Sequence, residues 1–179
     1  MRALGPGSVS SLLKVILDVV HVALWVVAGV VSLVIVVVLL LSIRPELADS
    51  RIVVGDLHIE GAWLGALLAA TLVAADLYFA GALVIVGRLR LISQTLVAGD
   101  PFHPANVSRL QVIAAALAGL ELARYLVNPM LAAATHHNHR FQIDGGVSLT
   151  TWFAVMVIVV LAEVFREGAR LRGEAELTI

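Results

Sequence analysis

Three ionisable residues, Asp76, Glu121 and Arg124, stand inside otherwise apolar stretches of the 179-residue chain. Charge at bilayer depth is costly, so such groups are functional candidates by default. Asp76 precedes Gly87 by eleven residues, and Glu121 follows Gln111 by ten. At about 1.5 Å of rise per residue, both carboxylates then lie roughly 15–16 Å from the same side of the membrane. Arg124 follows Glu121 by one turn on the same helix face, and its planar guanidinium can bridge two carboxylates. Fully ionised, the triad carries one excess negative charge, which favours keeping a proton or recruiting a cation. Three readings stay open: mutual neutralisation that fixes helix register, proton- or ion-coupled transport, and ligand or voltage sensing. Ser32, Ser42 and Thr150 are scattered, and Asp18, His21 and Glu163 lie at the ends of their runs, so a polar path for transport is lacking.

His136, His137 and His139 form a second cluster, with His58 elsewhere in the chain. Imidazole is the commonest metal ligand. Neighbouring histidines in a loop lack the i, i+4 helical spacing of a strong site, however, and no HExxH pair occurs. A solvated polar loop accounts for them, and no metal or other cofactor is expected. His103 is isolated and expected at the surface. No nucleophile, base and oxyanion donor can be lined up, so no enzyme is expected either.

The elements that must position these residues follow from composition. The chain is 60% hydrophobic and 14% charged, with a mean hydropathy of +1.00, far from the roughly 25% charge of a soluble domain. Four apolar runs, near 19–43, 62–86, 112–131 and 147–164, reach the length needed to cross a bilayer. In hydrocarbon each must satisfy its own backbone hydrogen bonds, and a helix does so. An all-α membrane protein is expected, a four-transmembrane-helix bundle forming a single domain over residues 1–179. The first run exceeds the 7–15 apolar residues of a signal peptide and ends without a small-x-small cleavage pattern, so it reads as a retained helix. There is no cysteine, which removes disulfides and thiolate metal sites. A net charge of −1 argues against direct nucleic-acid binding.

Basic residues set the orientation. Arg2, Lys14, Arg88, Arg90, Arg109, Arg166, Arg170 and Arg172 fall on one side of the four runs, and Arg44, Arg51 and Arg140 on the other. The positive-inside rule places the larger group, and with it both termini, in the cytoplasm. Trp63 and Trp152 then open the second and fourth spans at the outer interface, and Trp25 lies near the inner end of the first. On the outer side, Leu57 and Ile59 alternate with Asp56, His58 and Glu60, and Phe141 and Ile143 repeat the pattern on a smaller scale. Period-two alternation marks half-buried strands, so the two outer loops are expected to form a small β cap. Ala114 with Ala118, and Ala115 with Gly119, give small-x-x-x-small pairs that suit close helix packing, either within the bundle or in a homodimer.

The connection Arg88–Arg109 is the most distinctive segment. Leu89, Ile92 and Leu96 keep helical spacing, so the second helix is expected to continue past the membrane. Gly99 is placed to end it and Pro101 to prevent its continuation. Asn106 is expected to cap the third helix through its side-chain oxygen. Phe102 is the one large apolar group of the turn, which reads either as a self-stabilised connection or as a docking surface. The tail pairs Glu167 with Arg170 and Arg170 with Glu174 at helical spacing. It ends on Leu177, Thr178 and Ile179, an apolar terminus expected to dock on the Phe102 loop or on another protein.

The pattern Leu89-Arg90-x-Ile92, Thr95-Leu96-x-x-Gly99-Asp100-Pro101-Phe102, Asn106-x-x-Arg109-Leu110, with the ending Leu177-Thr178-Ile179, resembles a bacterial domain-of-unknown-function family, that of the YoaS-like membrane proteins. Ala175 and Glu176 depart from the family's usual Glu-Asn-Asp before that ending. The resemblance implies a four-span protein of the bacterial cytoplasmic membrane and carries no catalytic residues. Relatives encoded beside a small helix-turn-helix regulator suggest such a regulator as a soluble partner. It would meet Gly99, Asp100, Pro101, Phe102, Asn106, Arg109 and the three terminal residues.

Overall fold

The computed structural model describes residues 9–42, 52–54, 57–59, 61–134 and 146–176. Four long helices dominate: α1 (Val9–Ser42), α2 (Gly61–Val97), α3 (Ala105–Ala134) and α4 (Leu149–Glu176). Each contains a stretch long and apolar enough to cross a membrane, namely Leu12–Leu40, Ala70–Val97, Ala105–Pro129 and Leu149–Ala175. The chain is thus all-α in class and a multi-pass membrane protein. α1 is rich in valine and isoleucine, residues of low helix propensity in water. In lipid the obligation to pair every backbone N–H and C=O outweighs that preference.

Between α1 and α2, β1 (Ile52–Val54) and β2 (Leu57–Ile59) pair antiparallel, with Ile52 opposite Ile59 and Val54 opposite Leu57. The other half of the expected cap, at Phe141 and Ile143, lies outside the described residues. So do His136, His137 and His139, and the terminal Leu177, Thr178 and Ile179.

Contacts divide the chain into two units. The first takes in residues up to Trp25, Gly81–Glu121 and Ser148 onward; the second takes in Val26–Ala80 and Leu122–Val147. In the first unit a small core forms where Ile92 of α2, Leu110 and Ile113 of α3, and Ala162 of α4 are buried, with Ile85, Leu117, Ile158 and Phe165 packed around them. In the second unit the hairpin accompanies the Ser32–Asp76 contact of α1 with α2. Large apolar side chains such as Leu33, Leu40, Leu126, Phe153 and Val160 are exposed. In water such a surface would aggregate; hydrocarbon is the solvent that accepts it.

The small residues of α3 divide by face. Ala114 is buried, whereas Ala115 and Gly119 are exposed, and a side chain at Gly119 would meet nothing within 4 Å. Gly81 of α2 is different: a Cβ there would lie 2.6–2.8 Å from the Leu120 side chain of α3. The two helices therefore approach closely at Gly81. Gly81→Val should lower stability by about 1–3 kcal/mol through overpacking, while Gly119→Ala should not lower it, since alanine favours a helix interior over glycine. Unfolding by SDS titration in mixed micelles measures both, and an equal response of the two variants would contradict this packing.

Candidate functional site

The residues of the distinctive loop form one hydrogen-bonded corner between α2 and α3. α2 ends in a Schellman motif: the Gly99 N–H donates to the Leu96 carbonyl at 3.1 Å and the Asp100 N–H to the Thr95 carbonyl at 2.9 Å. Gly99 adopts φ +80°, a left-handed conformation that glycine takes without a Cβ penalty. The chain then turns through Pro101 and Pro104 into α3.

Asn106 has 0% exposure. Its amide nitrogen donates to Thr95 Oγ1 at 2.8 Å and to the Pro101 carbonyl at 3.0 Å, and its amide oxygen accepts from Arg109 at 2.8 Å. Arg109 donates in turn to the Leu91 carbonyl at 2.9 Å. Asn106 is therefore not the helix cap expected of it: it lies within the first turn of α3, and its side chain ties α3 back to the end of α2. The cap comes from His103, whose Nδ1 accepts the Ala105 N–H at 3.2 Å. A capping imidazole has weak sequence signal, because Ser, Thr, Asp and Asn dominate that position.

Phe102 packs against α4. Its ring centroid lies 5.5 Å from that of Phe165, and a Cβ at Gly168 would come within 2.5 Å of it. Asp100 forms an ion pair with Arg172. The loop is thus fastened to the distal part of α4, with Phe102 39% exposed. Further along α4, Arg170 pairs with Glu167 and Glu174 at the expected helical spacing.

The three charges within the spans each find a partner. Asp76 accepts from the Ser32 hydroxyl at 3.1 and 3.2 Å, so a serine of α1, rather than Arg124, serves this carboxylate. Glu121 is 6% exposed and accepts the Ser148 N–H at 3.4 Å. Ser148 caps α4, its hydroxyl accepting the Thr151 N–H at 3.3 Å. The Glu121 carboxylate consequently lies level with the positive end of the α4 dipole, which stabilises its charge. Arg124 donates to the Gly146 carbonyl at 2.9 Å and stacks over Tyr125 at 5.4 Å. Among the described residues no group of three or more metal-ligating side chains could hold an ion.

Of the residues singled out in the sequence, Gly99, Asp100, Pro101, Phe102, Asn106 and Arg109 come together at this corner. Thr95, Phe165, Gly168 and Arg172 join them from neighbouring helices, contacts that spacing along one segment could not reveal. Asn106→Ala should cost about 2–3 kcal/mol, since it strands buried partners. Thr95→Val, which removes one of them, should cost about 1 kcal/mol. The SDS unfolding midpoint of each variant checks this order, and a neutral Asn106→Ala would dismiss the network as a stabilising element.

No curated protein and no solved structure matches the chain. Residues 45–179, which include the corner, the third and fourth helices and the tail, match the family model described as "Protein of unknown function (DUF2975)". This four-span membrane protein belongs to the DUF2975 family.

Proposed function

We propose that the protein is a regulatory or interaction protein of the bacterial cytoplasmic membrane, both termini inside, which offers the 99–106 loop and the C-terminal tail to a soluble helix-turn-helix regulator. One observation carries the reading. Phe102 and Asp100 are fastened to Phe165, Gly168 and Arg172, so the loop and the base of the tail form one stiff, half-exposed surface. A surface already ordered before binding loses less entropy on association. The basic residues Arg88, Arg90, Arg109, Arg166, Arg170 and Arg172 all accompany it, which supports a cytoplasmic placement. The YoaS-like resemblance supplies the kind of partner. The β1–β2 hairpin then belongs to an outer cap, and the exposed Ala115–Gly119 pair is the face a homodimer would use. No enzymatic reaction is proposed.

The test is mild detergent extraction from native membranes, with mass spectrometry of co-purifying proteins. A helix-turn-helix protein in stoichiometric amount is expected. It should be lost on deletion of Leu177–Ile179 and on Gly168→Leu, which displaces the Phe102 ring. Unchanged recovery with both variants, or a preparation with no partner, would end this reading.

A second reading keeps Asp76, Glu121 and Arg124 as parts of a small proton- or ion-coupled transporter. It is favoured by the placement of Asp76 and Glu121 inside candidate spans, where ionisable groups are rare. It predicts proton or cation flux in reconstituted vesicles that Asp76→Asn reduces at least severalfold. Vesicles as tight as protein-free controls would eliminate it.

A further inference from the structure

In the first unit, α2 and His21 of α1 line an open cavity of about 400 Å³ that no part of the loop or tail uses. Its walls combine Leu83 and Val84 with the polar side chains of His21, Arg88 and Gln94, and Gly87 leaves its side open. A Cβ at Gly87 would lie 3.7 Å from the His21 ring, in ordinary contact.

One ring nitrogen of His21 is engaged by its neighbour. Trp25 donates its indole N–H to His21 Nε2 at 3.2 Å. With Nε2 accepting, a neutral ring carries its proton on Nδ1. That Nδ1 is buried and has no hydrogen-bond partner among the described residues. At that burial the Nδ1 is closed to a ligand in the cavity, so the His21 ring forms part of the wall and the polar groups open to a ligand are those of α2.

Charge points to an anionic ligand. Arg90, which also lines the cavity, is paired with Asp18. Arg88 is exposed and has neither an ion pair nor a hydrogen bond among the described residues. With Arg90 and Asp18 offsetting each other, Arg88 leaves a positive charge on an uncommitted guanidinium, the side chain best shaped to hold a phosphate. The apolar walls at Leu83 and Val84 lie about one turn before Arg88 along α2, toward its uncharged apolar run. A ligand that matches both halves has an anionic phosphate at one end and hydrocarbon at the other.

The geometry points to a binding site for the phosphate of an anionic phospholipid, held by Arg88 and the Gln94 amide beside the His21 ring, with its acyl chain along Leu83 and Val84. Free phosphate esters share the headgroup chemistry but would gain nothing from the apolar walls. Basic recesses between membrane helices at the cytoplasmic face suit such headgroups. Gly87 sets the room available, and Asp18 keeps Arg90 turned to itself.

Native mass spectrometry of the full chain, exchanged from detergent containing equal phosphatidylglycerol and phosphatidylethanolamine, tests the site. One retained phosphatidylglycerol per chain is expected. Its occupancy should fall about tenfold in Arg88→Gln, the scale of one lost charge-assisted hydrogen bond. Gly87→Leu keeps every charge but fills the cavity, and should reduce retention as far. Arg170→Gln, remote on α4, should retain the lipid like the parent. Parent-like retention in both Arg88→Gln and Gly87→Leu overturns the site. Displacement of the lipid by an equal concentration of glycerol 3-phosphate overturns the lipid assignment and leaves a soluble phosphate ester as the ligand.

Discussion

A single buried amide, that of Asn106, fixes how the second and third helices meet. Its two N–H groups and its carbonyl are all engaged, by Thr95, the Pro101 carbonyl and Arg109. Between two helices in lipid there is little hydrophobic force to choose a register, because the surroundings are as apolar as the side chains. A buried hydrogen-bond network makes that choice, since any other register leaves its members unpaired. The close approach at Gly81 and Leu120 and the small core around Ile113 lie further along the same pair of helices. The Phe102–Phe165 contact and the Asp100–Arg172 ion pair extend the corner to α4.

The same economy governs the charged groups. Asp76, Glu121 and Arg124 each meet a neutral partner: a serine hydroxyl, a backbone N–H and a backbone carbonyl. A carboxylate in low dielectric needs a donor, and any nearby N–H or O–H lowers its cost, not only a counter-charge. Glu121 gains in addition from the first turn of α4, whose free amides favour an anion. These partners give the spans polar anchors between helices.

Two features of the first unit differ in kind. The corner is saturated: its donors and acceptors answer one another, which makes it stiff and suits it to present a surface. The cavity beside His21 is unsaturated, with an uncommitted guanidinium at Arg88. Polar satisfaction separates a structural network from a receptive one, and on that ground the two have different work in the same protein.

Composition and run length alone determined the class: 60% hydrophobic residues in four long runs can only be four helices in lipid, because only helices pair their own backbone. Gly99, Pro101 and the Arg170 pairs were legible for a similar reason, as turn chemistry and helical spacing act within a few residues. The partners of side chains were not. Asn106 has the residue type of a cap yet bridges two helices, and His103 caps in its stead. Asp76 and Glu121 matched in depth, with the opposite charge of Arg124 one turn away, but depth along a helix says nothing of the direction in which a side chain points. Only the rotation and packing of the helices brought Ser32 to Asp76, Ser148 to Glu121 and Phe165 to Phe102. Those are contacts between segments far apart in the chain, set by tertiary geometry that no local pattern encodes.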